Sequence, residues 1–138
     1  MATVFTRIIK GELPARFVWQ DAQCVAFLSA RPLRPGHTLV VPREEVDHWL
    51  DLKPDLLRHL TGVSQSLGKA IQHGFRPTKV GMMLAGLEVP HVHFHLVPIR
   101  DLRDMDFANQ DPNPEAAMMD RAVETIRASL AALSISPR

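Results

Sequence analysis

The sequence predicts an α+β fold, with an antiparallel sheet of about five strands, one long helix and a C-terminal helix. Two observations lead to this prediction. Short apolar runs of strand length come before and after a long stretch whose apolar residues follow the period of a helix. The connections between successive strands are short, as antiparallel neighbours allow and parallel ones do not. A length of 138 residues is typical of one domain.

The first third of the chain predicts a short helix and three strands. Residues 4–9 place apolar side chains as an amphipathic helix does, and Gly11 ends the pattern. Residues 17–20 and 24–28 are apolar runs separated by three residues, which indicates a hairpin. The segment 31–36 holds two prolines and a glycine and is irregular. The β-branched run 37–42 predicts the third strand.

The remainder predicts two helices and two strands. Between residues 54 and 73 apolar side chains recur every three or four positions, which indicates a helix ended by Gly74. Residues 79–85 and 91–98 are predicted strands. Asn113 is expected to cap a closing helix that begins at Pro114 and runs to about residue 133.

Composition excludes several classes of protein. Sixteen Lys and Arg against fifteen Asp and Glu leave a net charge of +1, which argues against a nucleic-acid polymer or a charged membrane as partner. The single cysteine, Cys24, excludes an intramolecular disulfide and any multi-cysteine metal site. We see neither a membrane-spanning apolar stretch nor the apolar core of a signal peptide, so the expected compartment is the cytoplasm.

Histidine is the conspicuous residue type, since three of the seven histidines fall within five residues. His91, His93 and His95 alternate with apolar residues. On a strand, alternate side chains share a face and lie roughly 6.5–7 Å apart, so we expect the three imidazoles to lie together opposite an apolar stripe.

Three interpretations of this pattern remain open. The first is a solvated strand face. The second is a metal site, which would need a further ligand such as Glu88. The third is nucleophilic catalysis on phosphorus, in which one imidazole attacks, a second protonates the leaving group, and backbone amides of the turn at residues 85–88 bind the phosphate.

The run His-Val-His-Phe-His-Leu-Val resembles the signature of the histidine triad (HIT) family, in its nucleotide-binding branch. Three other segments are similar to that family in the same order: residues 5–12, 24–28 and 35–42. The resemblance covers residues 4 to about 100. It implies a HIT domain core at 1–100 and a C-terminal extension at 101–138, with a helix packed on the same domain.

The resemblance implies an enzyme that attacks the α-phosphate of a purine nucleotide conjugate and forms a covalent nucleoside-monophosphate-histidine intermediate. The activity would be that of a hydrolase or nucleotidyl transferase, similar to a phosphoramidase or a dinucleoside polyphosphate hydrolase. His93 resembles the nucleophile, His91 would orient it, His95 would contact phosphate and leaving group, and His37 would complete the network. The family resemblance also implies a homodimer and no metal or other cofactor.

A further set of residues is expected to contact the nucleotide by the same resemblance. These are Val4, Phe5, Phe27, Ser29, Gly86, Leu87 and Glu88. The three apolar ones would wall the base pocket, although they would equally be core in any fold. Ser29 stands where many members have a ribose-binding aspartate, and Leu87 and Glu88 replace the usual Gln and Ser or Thr. An ionised Glu88 beside a phosphate would be repulsive.

Two alternatives remain open, and the departures support the first of them. One is a nucleotide-binding regulatory protein with little turnover. The other is a histidine-rich metal-binding protein.

Overall fold

A computed structural model describes residues 1–137, and it confirms the α+β class. The helices and strands in chain order are α1 (Val4–Ile9), β1 (Phe17–Gln20), β2 (Cys24–Leu28), β3 (Thr38–Pro42), α2 (Pro54–Phe75), β4 (Lys79–Met83), β5 (Phe94–Ile99) and α3 (Ala116–Ala132). Short 3-10 helices lie at Trp49–Asp51, Leu102–Met105 and Phe107–Asn109. Within residues 1–137, no helix has the length and apolar character needed to cross a membrane.

The five strands form one sheet in the order β1-β2-β3-β5-β4, and every neighbouring pair is antiparallel. The hairpin between β1 and β2 closes around Asp21, whose Oδ1 accepts from the backbone N–H groups of Gln23 and Cys24, both at 2.8 Å. Such side-chain-to-backbone bonds are the physical reason that Asp favours tight turns.

The two faces of the sheet bury different clusters. Ala26 and Leu28 point toward α2 and α3 and belong to the larger core. Val25 and Phe27, which alternate with them on β2, point the other way into a smaller cluster beneath α1. Leu39 of β3 lies in this smaller cluster and is paired with His95 of β5. The histidine side chains therefore lie on the α1 face of the sheet.

The predicted strand 91–98 is correct only in its second part, because β5 begins at Phe94. The preceding residues bond elsewhere. The N–H of His91 donates to the carbonyl of Val89, and the N–H of Val92 donates to the carbonyl of Val46, both at 2.8 Å. His91 and His93 thus lie in an irregular lead-in to the strand, whose backbone is held by the loop after β3. The strand predicted over 79–85 ends at Met83.

Gly74 does not end α2, as the sequence pattern suggested. The helix continues to Phe75 and ends at Arg76, which has left-handed backbone torsion angles with φ of 49°. Gly74 instead lies where α2 meets α3, and a Cβ there would come within 2.6 Å of Thr125 Cγ2 and 2.8 Å of Ser129 Oγ. The glycine is required for close helix packing.

The start of α3 also differs from the prediction. The helix begins at Ala116, two residues after Pro114, and its N-cap Glu115 makes no side-chain cap bond. The N–H of Asn113 donates to Asp111 Oδ1 at 3.0 Å, so Asn113 belongs to a turn before the helix. From there α3 packs on α2 with a buried stripe: Met119, Ala122, Val123, Ile126 and Leu130.

Candidate active site

Four buried histidines converge on the α1 face of the sheet. His37, His91, His93 and His95 each expose 4% or less of their surface. The ring centroids of His93 and His95 are 4.8 Å apart, and those of His37 and His95 are 5.1 Å apart. The structure therefore brings together all four histidines that the sequence singled out.

Hydrogen bonds determine which nitrogen of His95 carries the proton. The backbone N–H of Leu33 donates to His37 Nδ1 at 2.9 Å, so a neutral His37 holds its proton on Nε2. That N–H faces His95 Nδ1 at 2.9 Å, which must then accept. A neutral His95 consequently carries its proton on Nε2.

The Nε2–H group of His95 is a buried donor without an acceptor. Among the described residues it is the one buried side-chain nitrogen or oxygen with no hydrogen-bond partner. The nearest carboxylate oxygen, Glu88 Oε2, is 3.8 Å away, beyond hydrogen-bond reach. Since an unpaired buried donor costs roughly 1–3 kcal/mol, this position is suited to a ligand acceptor.

His93 is bonded at both ring nitrogens. Its Nδ1 lies 2.7 Å from the carbonyl oxygen of His91, to which Nδ1–H can only donate. Its Nε2 lies 2.8 Å from Glu88 Oε2. Because a carbonyl cannot donate, one proton lies on Nδ1, and the short Nε2–Oε2 contact requires a second proton on either the imidazole or the carboxyl group.

His91 is held by the end of β3 and by α1. Its Nε2–H donates to the carbonyl of Pro42 at 2.8 Å, which leaves Nδ1 to accept from Thr3 Oγ1 at 2.8 Å. Glu45 Oε1 in turn accepts from the Thr3 N–H at 2.8 Å and from Thr6 Oγ1 at 2.7 Å. Sequence reasoning missed Thr3 and Glu45. The helix-capping role of Thr3 was readable from its position, but its bond to a histidine 88 residues away was not.

Two phenylalanines fix the ring planes from opposite sides. Phe5 of α1 meets His93 edge to face at a centroid distance of 5.0 Å. Phe107 meets His95 in the same manner at 4.8 Å. Phe107 belongs to the C-terminal extension and was not among the predicted site residues.

The extension is tied to the loop that precedes His37. Gln110 Nε2 donates to the carbonyl of Arg31, and the N–H of Asp111 donates to the carbonyl of Pro32, both at 3.0 Å. The same loop supplies the N–H of Leu33 that orients His37. The segment after β5 therefore forms one wall of the site.

The predicted base-pocket residues are divided between surface and interior. Val4 is 41% exposed on α1. Phe5 and Phe27 are buried and meet edge to face at 5.7 Å. Ser29 is buried beside His37, and its Oγ accepts from the Arg31 N–H at 3.3 Å.

The three predicted nucleotide-binding residues of the turn before the histidines also have different environments. Gly86 has a φ of +78°, which glycine adopts readily and other residues do not. Leu87 is 92% exposed. Glu88, by contrast, extends its carboxylate onto His93, so the substitution that sequence reasoning expected to disturb phosphate binding lies directly on the proposed nucleophile.

Burial keeps three of the four imidazoles neutral. It lowers the pKa of His37 to about 3, with a further contribution from the neighbouring His95 and His93. Burial lowers the pKa of His95 to about 4, and it also lowers the pKa of His91. At neutral pH these rings are uncharged, in agreement with the tautomers that the hydrogen bonds require.

Within residues 1–137, two clusters have metal-ligand composition, and neither is well suited to a metal. Glu88, His93 and His95 offer ligand atoms within 4.8 Å of one another, but His95 Nε2 carries a proton and cannot coordinate in that tautomer. In the second cluster, Asp21 Oδ2 already accepts from Trp19, while burial raises the pKa of Cys24 to about 12. The interpretation of the triad as a metal site therefore has less support than one based on hydrogen-bond donation.

Two further histidines lie on α2, outside the four-histidine site. His59 is half-buried and its Nε2 lies 2.8 Å from Asp21 Oδ2, in the second of these clusters. His73 is exposed and its Nδ1 lies 3.2 Å from Ser129 Oγ.

The buried neutral histidines predict a loss of stability in acid. The unfolded chain protonates near the ordinary histidine pKa of 6.5, whereas folded His37 and His95 protonate only near 3 and 4. Their stabilising contribution is therefore complete above pH 6.5 and is lost progressively as the pH falls toward those values. At pH 5 each should cost about 2 kcal/mol, so the free energy of unfolding should drop by about 4 kcal/mol between pH 7.5 and 5.

Urea unfolding followed by tryptophan fluorescence at the two pH values measures this change. Replacing the exposed His48 by alanine should leave the pH dependence as it is in the wild type. Equal unfolding free energies at pH 5 and 7.5 would show that the rings are not held neutral.

Comparison with known proteins gives consistent matches. The HIT domain family model matches residues 10–102. An uncharacterised HIT-like protein of Methanocaldococcus jannaschii is 37% identical over 99 residues, which are 69% of this chain and 77% of that protein. An adenosine 5'-monophosphoramidase of Saccharomyces cerevisiae is 32% identical over 101 residues, covering 72% of this chain and 64% of that protein.

A solved structure matches nearly the whole chain. It is a zinc-bound histidine triad family protein from Mycobacterium smegmatis, with a TM-score of 0.83 and 26% identity. The match covers 97% of this chain and 96% of that one, so it includes the C-terminal extension.

Proposed function

Because this chain belongs to the HIT domain family, we propose that it is a hydrolase or nucleotidyl transferase acting on purine nucleotide conjugates. In this proposal His93 attacks the α-phosphate and carries the nucleoside monophosphate as a covalent intermediate. The name of the yeast relative, an adenosine 5'-monophosphoramidase, supports a nucleotide substrate with a phosphorus–nitrogen bond.

One observation carries this proposal. His95 Nε2–H is a buried donor with no acceptor among the described residues, and its ring lies 4.8 Å from the ring of His93. A donor in that position is what a leaving nitrogen or oxygen needs when His93 displaces it. A solvated strand face would not be this buried, and a metal would need a lone pair where His95 has a proton.

The first chemical step forms a phosphorus–nitrogen bond. The lone pair of His93 Nε2 attacks the α-phosphorus, and the bond from phosphorus to the leaving atom breaks. His95 gives its Nε2 proton to the leaving atom, so that the leaving group departs as a neutral amine or alcohol. The proton that His93 Nε2 and Glu88 Oε2 share then replaces it on His95 Nε2, which lies 3.8 Å from Glu88 Oε2, so the His95 ring ends the step neutral. The carbonyl of His91 accepts the Nδ1–H of His93 and stabilises the positive charge that the imidazole ring gains.

The second step returns the enzyme to its starting state. A water molecule gives a proton to the Glu88 carboxylate, and the hydroxide attacks phosphorus while the bond to His93 Nε2 breaks. His37 remains neutral throughout and holds His95 through its Nε2–H. The products are a nucleoside monophosphate and the free leaving group.

The second candidate is a nucleotide-binding regulatory protein with little turnover. The bond between Glu88 Oε2 and His93 Nε2 favours it, because an occupied Nε2 cannot attack phosphorus. The two candidates differ in one measurable product, the covalent intermediate.

The test is to incubate the protein with a panel of adenosine and guanosine conjugates, quench in base and weigh the intact chain. We expect a mass increase of one nucleoside monophosphate, located on the peptide that holds His93. Binding of nucleotides without an adduct or turnover would favour the regulatory protein. Neither binding nor cleavage of any conjugate would contradict both candidates.

We further propose that the chain acts as a homodimer in the cytoplasm. β4 is an edge strand of the sheet, and Met82 on it is 56% exposed. Beside it lies an open groove of about 1280 Å³ with apolar lining from α2, β4 and the end of the chain, including Leu57, Val80 and Leu133. An exposed strand edge next to an apolar groove is suited to a second copy. Light scattering should give twice the chain mass of 15.5 kDa.

The cytoplasmic location is supported by Cys24, the single cysteine of the chain, which is buried and unpaired.

A further inference from the structure

We propose that Glu88 is the base that removes the Nε2 proton from His93 as the phosphate of the substrate enters. This inference rests on the proposed function, since it concerns the same nucleophile. It assigns a catalytic role to a residue that sequence reasoning expected only to repel the substrate.

The hydrogen bonds of His93 show that the nucleophile is not ready to attack. Its Nδ1–H is donated to the His91 carbonyl, and its Nε2 lies 2.8 Å from Glu88 Oε2. An uncharged ring with a bare Nε2 beside an ionised carboxylate would place two lone pairs against each other. The pair therefore holds one proton, which must leave Nε2 before that nitrogen can attack phosphorus.

Glu88 can carry that proton away because it is the mobile member of the pair. The His93 ring is fixed by the His91 carbonyl and by the edge of Phe5, and its side chain is 2% exposed. The Glu88 side chain is 44% exposed, and it lies on the turn that follows Gly86. A small rotation of the Glu88 side chain moves the proton off the line of attack at His93 Nε2, keeps it within the site and leaves the imidazole in place.

Proton transfer also removes an electrostatic conflict. An ionised carboxylate within about 4 Å of a phosphate is repelled by several kcal/mol in a partly buried site. A protonated Glu88 is uncharged and presents an O–H that can donate to a phosphate oxygen. The substrate then meets a neutral donor instead of a negative charge.

The proton balance of the cycle closes with this assignment. The proton moves from His93 Nε2 to Glu88 Oε2, and the freed lone pair forms the bond to phosphorus. Glu88 passes this proton to His95 Nε2 as His95 protonates the leaving group, so His95 stays neutral overall. The attacking water later gives a proton to Glu88, and the electron pair of the broken bond returns to His93 Nε2, so that the pair again shares one proton.

The other titratable groups around the pair all have lowered pKa values. They are His91 and His95 beside His93, His37 behind His95, and Glu45 beyond Thr3. Burial holds the pKa of His37 near 3 and that of His95 near 4. It also lowers the pKa of His91, and hydrogen bonds from Thr3 and Thr6 lower the pKa of the Glu45 carboxyl. These groups are the same in the wild type and in a Glu88 variant, so a pH dependence that only the variant shows would report on the pair of His93 and Glu88.

The test compares wild type with E88Q, which keeps the shape of the side chain but cannot accept the proton. The rate of adduct formation is measured in single turnovers from pH 5.5 to 8, with quenching in base. In E88Q no carboxylate takes the proton, so a protonated imidazole must lose it to water before it attacks, and the rate should fall as the pH is lowered from 8 to 5.5. The wild-type rate should change by less than about 2-fold, because Glu88 takes the proton internally. E44Q removes a negative charge from an exposed glutamate and should behave as wild type.

Three outcomes would overturn the inference. An E88Q rate that exceeds the wild-type rate at pH 5.5 would indicate that Glu88 inhibits the reaction by blocking His93 Nε2. A loss in E88Q that is equal at all pH values would make its role structural. A wild-type rate that depends on added zinc or on a chelator would make Glu88 a metal ligand. Absence of any adduct in wild type, in contrast, would mean failure of the proposed function itself. Tryptophan fluorescence at each pH confirms that the protein is folded.

Discussion

Replacement of His93 by alanine should abolish the covalent adduct and lower turnover by about 1,000-fold or more. The reason is that the methyl group of alanine cannot attack phosphorus, while the other three histidines already have assigned hydrogen bonds. His95 Nδ1 accepts from His37, and His91 uses both ring nitrogens on Pro42 and Thr3. Adduct formation is measured by the mass of the intact chain, and turnover by release of nucleoside monophosphate.

The matched control is His48→Ala, which removes an exposed histidine far along the chain from the triad. It should retain wild-type activity. Because Phe5 packs on His93, the alanine variant must also be shown to be folded, by urea unfolding. Unchanged turnover in a folded His93→Ala protein would show that the nucleophile has been assigned to the wrong residue.

Replacement of His95 by alanine should slow adduct formation by about 100- to 10,000-fold, but only for substrates whose leaving group needs a proton. Amine and alkoxide leaving groups require the Nε2–H of His95. A nitrophenolate departs as a stable anion, so its loss should be less than about 10-fold. The measurement is the single-turnover rate for a series of conjugates that differ in the pKa of the leaving group.

The dependence on leaving group separates an acid from a structural role. His95 lies between His37 and Phe107, and its removal leaves space in a packed site. A loss caused by disorder would affect all substrates alike. An equal loss for amine and nitrophenolate conjugates would therefore contradict the assignment of His95 as the acid.

Local sequence patterns predicted several elements to the residue. The bounds of α1, β1 and β2 coincide with those expected from apolar spacing and the hairpin turn, and α2 begins at its predicted Pro54. These elements are determined by neighbours within a few positions. Element ends that depend on distant contacts were predicted less well. Gly74 serves the contact between α2 and α3, and β5 starts at Phe94 because the residues before it bond to Val46.

In the candidate site, too, features that depend on local sequence were predicted and features that depend on distant contacts were not. The alternation of His91, His93 and His95 with apolar residues predicted that the imidazoles would share a face, and the motif in segment 35–42 brought in His37. The contributions of Thr3, Glu45 and Phe107 were not predicted, because each depends on a contact between separate segments of the chain, such as the bond between Thr3 and His91 at a separation of 88 positions. Nothing in a local pattern encodes such a partner.

The sequence by itself therefore determined the class of fold and the histidines that meet, and it suggested the chemistry that we propose for them. Only the tertiary structure decided which nitrogen of each ring holds a proton, and that Glu88 lies on His93 rather than beside an incoming phosphate. The physical reason is that a neutral imidazole has two equivalent choices for its proton. The choice is made by the group that faces each nitrogen, here the N–H of Leu33, the carbonyl of His91 and one flexible carboxylate.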